Sequence, residues 1–245
     1  MKKYYSVTKD YARVKNPKIL YHIVKPFVRL ARKKVEWKGD LTVEEPVVFI
    51  ANHSKAFSPL AAALDFPFPF RPWVDAGVLF YKTCPKYIFE NFFPPKGKIK
   101  FFRKITCFFA ALILVPLLRG QESIPVFRDV RIKKTFTKTL QTLEEQKNII
   151  IFPECEKKYS RYINELNAGF VSVARLYYEK TGKILRFCPV YVAPQLNVFQ
   201  TGTPIAYDPS EPMVTQKKRI STYLRDELDR IASELPEFEP IPFMD

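Results

Sequence analysis

Three short, nearly unbroken apolar runs recur along the chain, at 46–51, 148–152 and 184–192. Stretches of helical length separate them. A run rich in Val, Ile and Phe and only five to nine residues long reads as a strand buried on both faces. Such strands belong to a parallel or mixed sheet covered by helices. Residues 60–64 read as a helix. So do residues 131–147, where Ile132, Phe136, Leu140 and Leu143 share a face, and residues 163–180. A closing helix over 213–235 repeats the pattern through Val214, Ile220, Leu224, Leu228 and Ile231. The alternation predicts an α/β fold with a mainly parallel or mixed sheet flanked by helices. In 245 residues with 47% hydrophobic content, one large core is the expectation. The chain is therefore divided into a basic amphipathic helical segment, 1–39, and a single α/β domain, 40–245.

Shorter signals fill the gaps. Residues 37–40 read as a turn. The proline- and aromatic-rich stretch 65–75 is expected to be irregular, with a short strand within 74–80 and broken helix over 84–93. Ile124 to Arg128 and Pro204 to Tyr207 are strand-like.

The first apolar strand enters Asn52-His53-Ser54-Lys55-Ala56-Phe57-Ser58-Pro59, and a helix follows. A strand-to-helix loop holds a side chain rigidly while exposing it to substrate. The chain has only two histidines. His22 lies among apolar and aromatic residues and reads as packing, which leaves His53 as either a functional residue or one bonded to its own turn. Ser58 before Pro59 matches a helix N-cap with proline in the first turn. A second polar signal, Glu154, stands just beyond the isoleucine strand, where open α/β sheets place ligand groups.

The net charge of +15 calls for an anionic partner. Nucleic acid is not expected, because no zinc finger, KH-like loop or RNA-binding aromatic motif accompanies the charge. Two histidines and four scattered cysteines give no metal pattern, and no Gly-rich nucleotide loop or Gly-x-Ser-x-Gly elbow is present. Basic residues at the N-terminus are not followed by the apolar core of a secretory signal.

Two segments fit an anionic membrane surface. Residues 18–34 mix apolar and basic side chains around Pro26, which is expected to kink or divide them. They read as an interfacial helix or as a basic helix packed on the core. The second segment begins with Lys98, Lys100, Phe101, Phe102, Arg103 and Lys104 and runs into the apolar stretch 105–118. That stretch is too short for an ordinary spanning helix, so it is either a buried helix or a monotopic insertion.

Taken in order, these residues resemble the glycerolipid acyltransferases, the lysophosphatidic acid (1-acylglycerol-3-phosphate, PlsC-like) acyltransferase family. The resemblance covers about 40–210 and rests on four blocks. Asn52-His53 with Ser58 is similar to the family's Asn-His-x4-Asp. Gly120 through Ile124-Pro125-Val126-Phe127-Arg128 looks like the second block. Phe152-Pro153-Glu154-Cys155-Glu156-Lys157-Lys158 looks like Phe-Pro-Glu-Gly-Thr-Arg-Ser. Phe187-Cys188-Pro189-Val190-Tyr191 looks like the fourth, and Gly202-Thr203-Pro204-Ile205 resembles a later Gly-x-Pro-Ile segment.

The resemblance implies an O-acyltransferase that needs no cofactor or metal. Its donor would be acyl-CoA or acyl-carrier protein, and its acceptor a lysophospholipid or glycerol phosphate, first of all 1-acylglycerol-3-phosphate. His53 would be the general base and Ser58 would stand at the supporting aspartate. Arg128, Glu154, Lys157 and Lys158 would bind or organise the acceptor. The protein would sit on the cytoplasmic side of a membrane, peripherally or monotopically. Three departures mark this chain: Ser58 for aspartate, Cys155-Glu156 for Gly-Thr, and Lys157 for a bidentate arginine. In the serine-protease template, losing the carboxylate behind a histidine costs roughly 10⁴-fold. The alternative is a non-catalytic lipid-binding or scaffold protein that keeps the fold.

Overall fold

The computed structural model describes residues 18–30, 32–55, 57–92 and 100–241. In chain order they form α1 (Lys18–Leu30), β1 (Glu36–Lys38), β2 (Val47–Ala51), α2 (Phe57–Asp65) and β3 (Phe70–Asp75). A 3-10 turn (Ala76–Leu79) leads to α3 (Cys84–Phe92), α4 (Lys100–Gly120), β4 (Ile124–Val126) and α5 (Ile132–Glu144). Next come β5 (Asn148–Ile151), β6 (Glu154–Lys158), β7 (Asn164–Leu166), a second 3-10 turn (Ala168–Val171) and α6 (Ser172–Thr181). β8 (Arg186–Ala193), β9 (Val198–Thr201), β10 (Ile205–Ala206) and α7 (Met213–Glu234) complete the order. The elements gather into two compact units. One contains α1 and residues 72–135, and the other residues 32–71 and 136–245.

In the larger unit the strands run β1-β9-β8-β2-β5, with β10 on β8. The β1–β9, β8–β2 and β2–β5 pairs are parallel, and β9 and β10 both run antiparallel to β8. The expected mixed, mainly parallel α/β architecture is therefore present. Every residue of β2 is buried, which is why its sequence does not alternate. Phe49, Ile150, Val190 and Phe199 form one core cluster with Ala61 and Ala62 of α2. Trp37, Phe66 and Phe68 meet Phe49 in that core with ring centroids 4.9–6.4 Å apart.

Pro189 sits within the central strand β8, where a missing N–H would ordinarily break a ladder. Strand β9 pairs with β8 from Val190 onward, and β10 pairs at Arg186 and Phe187. Between them the Pro189 carbonyl accepts from Gly202 N–H at 3.1 Å. The absent donor therefore faces the bend where β8 changes neighbours.

Several local expectations are corrected. Residues 36–38 form β1 rather than part of a turn, and Gly39 follows at φ 122°. The stretch expected to be irregular contains β3, because its aromatic side chains reach the core and its backbone pairs with β4 through Trp73, Val74 and Asp75. Beyond Asp75 the chain turns into 3-10 helix rather than extending, with Asp75 Oδ1 accepting from Gly77 N–H at 2.8 Å. The helix expected over 163–180 is three elements: β7, a 3-10 turn capped by Asn167, and α6.

In the smaller unit, α3 and α4 pack through Cys84, Ile88, Cys107, Ala111 and Val115. Helix α1 runs through Pro26 as one element and approaches α4 closely: a Cβ at Gly120 would lie 2.3 Å from Tyr21 Cβ. Helix α4 is apolar on its outer side as well. Phe102, Ile105, Phe108, Phe109, Leu112 and Ile113 are exposed, as are Ile19, Ile23, Phe27 and Leu30 of α1. Arg103 is half-buried and Lys104 exposed; Lys98 lies outside the described residues, as do the side chains of Lys100 and Phe101. Among the described residues no helix is long and apolar enough to cross a membrane.

Gly202 offers a test of the packing around β8. A Cβ there would lie 2.5 Å from Glu227 Oε1 and 2.7 Å from Ile231 Cδ1 on α7. Glu227 accepts from Thr203 N–H at 2.9 Å and pairs with Arg230, so it cannot swing aside without losing both. Gly202→Ala should lower the unfolding free energy by about 1–3 kcal/mol, measured by urea denaturation. An unchanged midpoint would mean that α7 does not seat on this bend.

Candidate active site

The candidate site is built at the exit of β2. Asn52 extends the ladder to β8 with its side chain. Its Oδ1 accepts from Val192 N–H at 2.6 Å, and its Nδ2 donates to the Val192 carbonyl at 3.0 Å. An asparagine satisfies both backbone groups at once because it carries an acceptor and a donor on one planar group. The loop then closes tightly. Lys55 N–H donates to the His53 carbonyl at 3.1 Å, Lys55 takes a left-handed φ of 47°, and Phe57 N–H donates to the Ser54 carbonyl at 2.9 Å.

Glu154 fastens this loop to the hairpin β6–β7. Its Oε1 accepts from His53 backbone N–H, and its Oε2 accepts from Asn164 N–H at 2.9 Å. Burial drives the carboxyl up to about pKa 7, while the two N–H groups favour the charged form. A carboxylate suits the position because both of its oxygens accept.

The His53 side chain is half-buried, with its ring edge-on to Phe152 at 5.6 Å between centroids. Burial pushes the imidazole down to about pKa 4, and a hydrogen bond to its own backbone pulls the other way. The ring is therefore neutral across the physiological range.

Ser58 is fully buried in the first turn of α2, and its hydroxyl accepts from Ser54 N–H at 3.1 Å. The N-cap reading is thus corrected. The side chain reaches back to fix the loop instead of capping a later helical N–H. Asp65 and Asp75 are bonded elsewhere. Asp65 accepts from Arg32 and from Val35 N–H, and Asp75 caps its 3-10 turn and pairs with Arg128 at 3.5 Å.

Arg128 belongs to the smaller unit and is 66% exposed. Lys157 and Lys158 are exposed on β6, where Lys157 Nζ lies 3.9 Å from Glu165. The structure thus joins His53, Ser58 and Glu154 through the loop, and carries Lys157 and Lys158 on the hairpin that Glu154 begins. Arg225 and Tyr159, which hold that hairpin to α7, carry no signal in the sequence. No motif marks either residue, since their partners lie about 60 positions apart.

No protein-family model and no curated protein sequence matches the chain. Among solved structures it is similar to the 1-acyl-sn-glycerophosphate (LPA) acyltransferase PlsC from Thermotoga maritima. The TM-score is 0.50 at 10% identity, over 90% of this chain and 80% of that one. At this identity the likeness is one of fold.

His53 and Glu154 give opposite pH dependences. The raised Glu154 pKa contributes stability that is complete below its unfolded value of 4.5 and is lost as pH rises through about 7. The depressed His53 pKa contributes stability that is present above its unfolded value of 6.5 and is lost as pH falls through about 4. The stability of Glu154→Gln minus that of wild type should therefore rise as pH goes from 4.5 to 7, while that of His53→Gln minus wild type should fall as pH goes from 4 to 6.5. Urea melts across this window measure both slopes. Slopes of the same sign would contradict the assignment.

Proposed function

We propose that this chain is an O-acyltransferase that moves a fatty acyl group from an acyl thioester, acyl-CoA or acyl-carrier protein, to a hydroxyl of a lysophospholipid or glycerol phosphate. The acceptor to test first is 1-acylglycerol-3-phosphate. The observation that carries this reading is a neutral histidine on a rigid strand-to-helix loop, backed by a carboxylate that holds the loop in place. The resemblance in four blocks and the likeness of fold to a lysophosphatidic acid acyltransferase support it.

In the proposed mechanism a ring nitrogen of His53 takes the proton of the acceptor hydroxyl as that oxygen attacks the thioester carbonyl. The carbon–sulfur bond then breaks, and the imidazolium returns its proton to the leaving thiolate. No acyl-enzyme is needed. Glu154 acts by positioning the loop, and Lys157 and Lys158 supply cations for an acceptor phosphate. A base with a pKa of about 4 is in the right form at pH 7 but drives proton transfer weakly, so slow turnover is expected.

The outer face of α4 and the apolar stripe of α1 support peripheral attachment to an anionic membrane. A helix apolar on both sides needs a second apolar environment, and Arg103 and Lys104 stand at its basic end.

A non-catalytic lipid-binding role is the second reading. It is favoured by the Ser58 hydroxyl, which stands where the family has aspartate and accepts from Ser54 N–H.

An assay with purified protein, acyl thioester and 1-acylglycerol-3-phosphate separates the two readings. Turnover that falls at least about 10²-fold in His53→Ala supports the enzyme. Lipid binding without turnover across several donors and acceptors supports the scaffold. For the membrane face, Phe108→Ser with Phe109→Ser should weaken binding to anionic vesicles by at least about tenfold, given roughly 1.5–3 kcal/mol for each fully buried aromatic side chain. Unchanged affinity would assign attachment elsewhere.

A further inference from the structure

The hairpin that carries Glu154 has little apolar anchorage of its own. Of residues 154–166 only Ile163 and Leu166 are buried. It is held instead by Arg225 of α7. Nη1 of Arg225 donates to both oxygens of Glu165 at 3.1 Å, binding the β7 strand. The Arg225 guanidinium carbon lies 3.8 Å from the ring centroid of Tyr159, at the end of β6. Asp226 Oδ1 accepts from Arg225 Nε at 2.9 Å, from Arg225 Nη2 at 2.8 Å and from the Tyr159 hydroxyl at 2.9 Å. One guanidinium thus grips both strands of the hairpin from a single helix, using its planar fork and its stacking face together.

The grip lies directly beside the loop clamp. Glu165 follows Asn164, whose N–H binds Glu154 Oε2, and Glu154 Oε1 binds His53 N–H. We infer that Arg225 is a positioning residue of the candidate site, which acts through Glu165, Asn164 and Glu154 to hold the His53 loop. For its effect on catalysis the inference rests on the acyltransferase reading. The mechanical linkage stands without it.

Amide hydrogen exchange in the full-length protein tests the linkage, with wild type compared to Arg225→Met, Arg225→Lys and the milder Glu165→Gln. The amides followed are His53 and Asn164, with Val192 as control because Asn52, not the hairpin, holds it. Arg225→Met should speed exchange at His53 and Asn164 by at least about tenfold and leave Val192 within about twofold, since the loss is local rather than global. Glu165→Gln should shift the same two amides less. Arg225→Lys should fall between wild type and Met, because it keeps the charge but loses the fork and the stack. In the acyl-transfer assay, kcat should fall by about tenfold or more with the KM for the thioester unchanged, the signature of lost geometry rather than lost binding. Unchanged exchange at His53, or a rise at all three amides together, would overturn the inference. If wild type shows no turnover, the proposed activity fails, and the exchange data still decide the role of Arg225.

Discussion

Much of the candidate site depends on one carboxylate, that of Glu154, which bridges two backbone N–H groups from segments far apart in sequence. One side holds the histidine loop and the other holds the hairpin. The bridge needs two acceptors on one short side chain. Glutamine would turn a donor toward one of the N–H groups, and a shorter or apolar residue would leave both buried donors unsatisfied, at about 1–3 kcal/mol each. The same burial that makes the bridge matter also raises the pKa of the carboxyl to about 7. The clamp therefore works against its own desolvation, and the two backbone donors offset part of that cost.

The histidine is shaped by the same environment. It stands in a half-buried loop beside Phe152, with its amide held by Glu154, and is kept neutral by desolvation. Serine at position 58 stiffens the loop through Ser54, whereas a carboxylate there would also favour the charged imidazolium. An imidazole without such support takes up a proton poorly.

The sequence disclosed the parts whose physics is local. Strands β2, β5 and β8 are continuous apolar runs because both of their faces are covered, and α7 carries its core face at helical spacing. His53 and Glu154 were legible because each sits at the end of such a strand. Strand β3 was hidden by Pro67, Pro69 and Pro72, whose breaking tendency is overridden by Phe66, Phe68 and Phe70 packing on the core. The hairpin was hidden more deeply. Its strands are mostly polar, and what holds them is an arginine some 60 residues later. The capping expected of Ser58 fails for a related reason. Local rules give a serine before proline a capping bond forward along the helix, while the loop geometry directs its hydroxyl backward.

The most direct measurement follows His53 alone by NMR as pH is varied, because its two ends report on the two groups of the site. The ring should titrate with a midpoint near 4, and the backbone amide should shift with a separate midpoint near 7 as Glu154 gains its proton. A ring midpoint near the ordinary 6.5, with an amide indifferent to pH around 7, would contradict both the desolvated neutral imidazole and the carboxylate that holds its loop.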